Sequence, residues 1–215
     1  IYASALMFVL RFFAGPIVER ISPLGLLFVC SIFGAVGLYI LGNSTTGLVM
    51  VFAVTIYGIA KSFFWPTMLG VVGERFPKGG AVTMGILGGV GMLSAGLLGG
   101  PGIGYKQDYF ASKKIEIESK DTYDRYKADD ENSFLFFEPI KGLDGSKVAI
   151  LKSDGDQLAS DIERWESTGN DLESNENLSA LSQWWNLAKT RVDEDLAPVE
   201  QAGFYGAGRA LVSTA

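Results

Sequence analysis

A single lysine stands in the middle of the longest apolar stretch of this 215-residue chain. Lys61 lies within 48–72, a run whose other residues are apolar, small or hydroxyl-bearing. At about 1.5 Å per helical residue, that run covers a hydrocarbon core of roughly 30 Å. A charge near the bilayer midplane costs roughly 3 kcal/mol on the gentler insertion scales, so a lysine there points to function. On a helix, Lys61 shares a face with Tyr57, Phe64, Trp65 and Met68, three, four or seven residues away. The face offers a cation, a phenol and aromatic planes. Together these can orient a polar or anionic solute and pack against a sugar-like or ring face. Lys61, Tyr57 and Trp65 are therefore the candidate binding residues, with Phe64 and Met68 as packing and an apolar opposite face of Ile56, Ile59 and Phe63. Pro66 removes one backbone hydrogen bond nearby, where a kink would serve gating. The plainer reading is a lysine paired with a carboxylate on another helix, among aromatics that only pack. Arg11 lies about seven residues, roughly 10 Å, from the end of its own apolar run. It is within reach of either the site or the interface, and is the fourth candidate.

Other chemistry has little to stand on. The chain has no histidine and one cysteine, Cys30, itself in an apolar run. An intramolecular disulfide is impossible and a transition-metal site is disfavoured. There is no nucleophile–base pair and no calcium-loop pattern, so neither catalytic residues nor a metal or cofactor is expected, and the chain does not read as an enzyme. The glycine-rich stretch 99–104 lacks the preceding strand and the lysine that a phosphate loop requires. A net charge of −6 gives no reason to expect nucleic acid.

Whole-chain composition conceals two different parts. Of the 24 acidic residues, only Glu19 and Glu74 fall within 1–104, beside the bases Arg11, Arg20, Lys61, Arg75 and Lys78. Residues 1–104 have membrane composition and hold four apolar runs, about 1–18, 24–41, 48–72 and 81–103, joined by short turns that predict antiparallel helices. Residues 105–202 form an acidic, water-facing segment, and 203–215 reads as the start of a further membrane helix. Arg20, Arg75 and Lys78 put the first and third turns in the cytoplasm, which leaves the acidic segment outside. The chain opens inside one apolar run and closes at the start of another, as an internal piece of a longer protein would.

The acidic segment is expected to be ordered only in part. Residues 106–132 read as too polar to bury a core. Residues 134–137 and 147–151 flank Leu143, Asp144 and Gly145 in the pattern of a hairpin with an Asp-Gly turn. A short helix is predicted over 157–166 and an amphipathic helix through Leu178, Leu181, Trp185, Ala188 and Val192, interrupted afterwards by Pro198. In the fourth apolar run, Gly85 with Gly89, and Gly96 with Gly100 and Gly104, recur every four residues. Small residues so spaced permit close helix approach in lipid.

The stretch from Arg11 to Pro23 resembles the inter-helix loop motif of the major facilitator superfamily. Gly15 matches its first glycine, Glu19 stands for its aspartate and Arg20 matches its first base, while Ser22, Pro23 and Leu24 depart from the closing glycine and bases. Together with the short polar turn at 42–47 and the inner loop of Arg75, Phe76, Pro77 and Lys78 before a glycine-rich helix, residues 1–104 resemble helices eight to eleven of that family. The resemblance implies an all-α transmembrane bundle, a partial major facilitator fold with a long polar insertion of short helices before the twelfth helix. It implies a multi-pass protein of the plasma membrane, bacterial inner membrane included. Function would be alternating-access transport of a small polar solute of the sugar, nucleoside or organic-anion class, with the other half of the transporter as partner. A coupling proton or ion would need a carboxylate that none of the four runs contains. Gly15, Glu19 and Arg20 would act in conformational change. The alternative is a non-transporting membrane receptor or assembly protein whose outer segment binds a partner.

Overall fold

The computed structural model describes residues 2–12 and 20–215 of the chain. Its regular structure is helical, and no strand occurs among the described residues. Its first helices are α1 (Tyr2–Phe12), α2 (Pro23–Asn43) and α3 (Gly47–Arg75). A 3₁₀ turn, Pro77–Gly79, leads into α4 (Gly80–Ser94), a π-helical stretch, Ala95–Gly99, and α5 (Gly100–Glu118). The remainder comprises α6 (Lys120–Tyr126), α7 (Gly145–Lys152), α8 (Asp156–Ser167), α9 (Glu176–Ala188) and α10 (Val192–Val212). Among the described residues, three helical runs are long and apolar enough to cross a membrane: Pro23–Asn43, Gly47–Arg75 and Pro77–Glu118. The first apolar run is described only as far as Phe12, so its span lies partly outside the described residues.

The chain divides into two compact units, Ile1–Gly104 with Gly208–Ala215, and Tyr105–Ala207. In the apolar unit, local chemistry starts α2 cleanly: the Ser22 hydroxyl accepts the Gly25 N–H at 3.2 Å and Pro23 occupies the first turn, where its missing N–H costs nothing. Helix α3 ends at Phe76, before Pro77. Helices α2 and α3 pack antiparallel, since Gly37 meets Tyr57 and Gly34 meets Ala60 in descending register. A Cβ on Gly37 would come 2.8 Å from the Tyr57 backbone nitrogen, so only glycine permits this approach. Leu26, Cys30, Ala60 and Phe63 form the buried cluster between the two helices, with Leu10 of α1 against it. Near the end of α10, Gly208 meets Gly42 of α2 backbone to backbone.

The polar unit has a core of its own: Ala111 and Ile115 of α5, Tyr126 of α6, Leu151 of α7, and Val199 and Ala202 of α10, flanked by Trp184 and Leu196. Three expectations are corrected here. Residues 106–132 are largely helical and supply half of that core: Ala111 and Ile115 lie four apart on one face of α5, and Tyr126 joins them from α6. No hairpin turns at Asp144. That residue caps α7, its carboxylate accepting the Ser146 and Lys147 N–H groups at 2.8 and 3.1 Å, so 147–151 is helix. The chain instead reverses at 134–137, between isolated antiparallel bridges pairing Lys127 with Leu143 and Asn132 with Ile140. Finally, Pro198 does not interrupt the chain but lies within α10, where it forgoes a single hydrogen bond early in a 21-residue helix.

One buried ion pair joins α6 to α10. Asp195 is fully buried, and both its oxygens are taken by Arg125, Nε donating at 2.9 Å to Oδ2 and Nη2 to Oδ1. The Thr122 hydroxyl adds a third donor at 2.9 Å. These bonds hold the Arg125 guanidinium above its ordinary pKa, against a smaller opposing effect of burial. Beside the pair, the buried Tyr126 hydroxyl faces the Asp195 carboxylate, close enough to feel its charge. Burial, and then that charge, push its phenol well above the usual range.

Candidate functional site

Lys61 falls at the midpoint of α3, with fourteen helical residues on either side. Its side chain borders a cleft of about 200 Å³ between α2 and α3, lined by Cys30, Ser31 and Gly34 from one helix and Tyr57, Ala60, Lys61 and Phe64 from the other. Its lining combines small residues of the α2–α3 contact with a cation, a phenol and one aromatic plane. The Ser31 hydroxyl donates to the Leu27 carbonyl at 2.9 Å, which leaves its oxygen lone pairs as acceptors. No ion pair or hydrogen bond engages Lys61 among the described residues, and α2, α4 and α3 before Glu74 contain no acid. Such a cleft can accept a small group bearing acceptors for the ammonium and a donor for Ser31.

The structure thus brings Lys61 and Tyr57 together with Phe64, and sends Trp65 elsewhere. The indole of Trp65 covers Gly91 of α4, where a Cβ would come 2.6 Å from the ring. Trp65 joins α3 to α4 and does not line the cleft. Arg11 is the penultimate residue of α1. Gly15 and Glu19 of the loop motif lie outside the described residues, and Arg20 is exposed. Gly85, Gly89 and Gly96 have open space where a Cβ would be, and Gly100 meets only the Ala95 carbonyl, at 3.8 Å. Among the described residues, close approach to a neighbouring helix's backbone occurs at Gly37, Gly42, Gly206 and Gly208.

Ser31 and Gly34 were not legible as site residues. Their signal is a run of small residues, Cys30, Ser31 and Gly34, in the middle of an otherwise bulky apolar helix. It acquires meaning only once Ala60 and Lys61 are seen to face it. The polar unit has a second hollow, about 190 Å³, between Tyr109, Lys113 and Glu116 on one side and Tyr123, Glu138 and Lys141 on the other. It is charge-balanced and open, and the Tyr123 hydroxyl on its wall already donates to the Lys141 carbonyl at 2.9 Å. No family model, curated protein or solved structure matches this chain.

Proposed function

We propose that this chain belongs to a secondary transporter of the major facilitator type, in which the cleft around Lys61 takes part in binding a small polar solute of the sugar, nucleoside or organic-anion class. The observation that carries this reading is a cation at the midpoint of a membrane-length helix, bordering a cleft that also holds Tyr57 and Ser31 and in which no carboxylate answers it. A lysine kept at that depth against its insertion cost, with no counter-ion among the described residues, is best accounted for by a transported partner that carries the acceptors. The tight α2–α3 contact at Gly37 supports a helix pair that moves as one body during alternating access. The loop motif adds Gly15, Glu19 and Arg20 as conformational residues. The plasma membrane, with the polar unit outside, is the location that follows.

Uptake by the full-length protein, measured over a panel of sugars, nucleosides and organic anions, tests the proposal. Lys61→Ala is expected to cut uptake of the cognate solute roughly tenfold or more, since a hydrogen bond to a charged group contributes about 1.5–3 kcal/mol. Unchanged transport at normal expression would remove Lys61 from the site. The second reading, a non-transporting receptor or assembly protein, draws on a different observation: the polar unit has its own core and buried ion pair. Deleting residues 110–195 separates the two, because intact uptake makes that unit an accessory, and a chain that transports nothing but loses a bound partner favours the receptor.

A further inference from the structure

The cleft beside Lys61 is poor in hydrogen-bonding groups, and that poverty selects its occupant. Three of its side chains are strongly polar: the Lys61 ammonium, the Tyr57 phenol and the Ser31 hydroxyl. Neither the ammonium nor the phenol hydrogen-bonds to another described residue. Ser31 already donates to the Leu27 carbonyl, so toward the cleft it only accepts. The nearby hydroxyls of α3 add nothing. Thr55 and Ser62 donate to the Val51 and Gly58 carbonyls of their own helix, at 2.7 and 2.6 Å, and neither lines the cleft. Gly34, Ala60 and Phe64 make the remaining wall apolar. Tyr57 and Lys61 are four residues apart on α3, a spacing that sets Cβ atoms about 5–6 Å from each other, so their donors can share the two oxygens of one carboxylate.

Charge and donor count then separate the solute classes. Helices α1 to α4 hold a single acid, Glu74, thirteen residues or about 20 Å along α3 from Lys61. One negative charge on the solute therefore neutralises the cleft. A dicarboxylate or a phosphate monoester brings about two at neutral pH, and the second is left unpaired beside apolar groups. A sugar or nucleoside brings no charge and several hydroxyl or amide donors. For these the cleft offers only the Ser31 and Tyr57 oxygens as strong side-chain acceptors, and each donor left over forfeits its bond to water. We propose that the solute of this cleft is a small monocarboxylate with an apolar body. The carboxylate accepts from Lys61 and Tyr57, the body lies against Phe64 and Ala60, and at most one hydroxyl reaches Ser31. The inference rests on the transport reading and narrows it to one of its three solute classes.

The test is ligand-induced thermal stabilisation of the full-length protein in phosphatidylcholine nanodiscs, which yields an apparent Kd for each compound. Two matched sets keep the body and change the charge: benzoate, benzamide and phthalate, and butanoate, butanamide and succinate. At least one monocarboxylate should bind about tenfold or more tightly than both its amide and its dicarboxylate. Lys61→Met should erase that preference, and it should insert readily because it removes a charge that lipid disfavours. Lys61→Arg should keep part of the preference, and Tyr57→Phe should weaken the carboxylate severalfold. An amide that binds as tightly as its carboxylate, a preference that survives in Lys61→Met, or no binding by either monocarboxylate overturns the assignment. Uptake of sugars and nucleosides into liposomes holding the same protein separates the two readings. Lys61-dependent uptake of either leaves transport standing and refutes the monocarboxylate. If no sugar, nucleoside or carboxylate is bound or taken up, the transport reading falls with it.

Discussion

The two units of this chain hold themselves together by opposite means. In the apolar unit the closest contacts are made by small residues, Gly34 and Gly37 against Tyr57 and Ala60, while large side chains such as Phe28, Leu48 and Phe52 stay exposed. In the polar unit large side chains make the core, Ile115, Tyr126, Leu151 and Val199 being almost wholly buried. The difference follows from the surroundings each unit is built for. Lipid gives no reason to hide leucine, so helices associate where small residues let backbones approach and dispersion contacts accumulate. Water drives bulky apolar groups inward, and a unit rich in acids must also satisfy whatever charge it buries.

Changes that treat each unit by the other's rules should expose the contrast. The largest effect is expected from Arg125→Ala, which strands the fully buried Asp195 carboxylate. Loss of one partner from a buried pair costs about 3–5 kcal/mol, which should appear as early urea unfolding of the polar unit. Trp184 is the natural reporter, because its indole N–H donates to the Arg125 carbonyl at 3.0 Å. Next comes Gly37→Ala, whose new methyl meets the Tyr57 backbone, an obstacle that cannot rotate away. Overpacking of this kind costs about 1–3 kcal/mol, and the α2–α3 pair should lose resistance to detergent denaturation while Trp184 reports no change.

Tyr126→Phe should change less at neutral pH. It deletes a buried hydroxyl beside an Asp195 carboxylate that Arg125 and Thr122 already satisfy, so the shift in urea unfolding should stay within about 1 kcal/mol. The same residue gives a pH signature. Its folded pKa is raised above the ordinary 10.0, so the folded state holds the proton longer than the unfolded chain does. The associated stability is complete below pH 10 and declines as pH rises beyond it, and Tyr126→Phe should flatten that decline. Tyr123, also raised by burial, contributes in the same direction and remains in the variant. The smallest effect belongs to Gly85→Ala and Gly89→Ala, which meet no atom within 4 Å. Replacing a helical glycine at an open position stabilises by about 0.4–1 kcal/mol. A loss of stability instead would show that this face packs against a helix outside the described residues.

Much of this contrast could be read from residue order. The change in charge density at 104–105 is visible in the acids alone, and the membrane-length helices α2 and α3 follow from unbroken apolar runs. Lys61 stood out because a charge among apolar neighbours is conspicuous in one dimension. Its neighbours across the helix pair did not, since Ser31 and Gly34 are thirty and twenty-seven residues away in sequence and carry no unusual chemistry by themselves. Trp65 shows the reverse. One helical turn from Lys61 is a correct statement of spacing, but an indole is long, and the gap left by Gly91 on α4 decided where it went. In the polar unit the Asp-Gly pair at 144–145 fits a turn or a helix N-cap equally well by type. The burial of Ile150 and Leu151 on one side of α7 selected the cap.

Residue order therefore determined the solvent each part is made for, because hydrophobic length and charge density are local sums along the chain. It also determined where α2 starts, since the Ser22 cap acts within three residues. What only the tertiary structure decided is which small residues become contacts and which charges become partners. Gly37 and Gly85 are the same residue in similar helices, yet one is filled by Tyr57 and the other faces open space. Asp195 is one acid among many, yet it alone of the described acids is fully buried, against Arg125 seventy residues before it. Both outcomes depend on pair distances across elements, which local propensity does not encode.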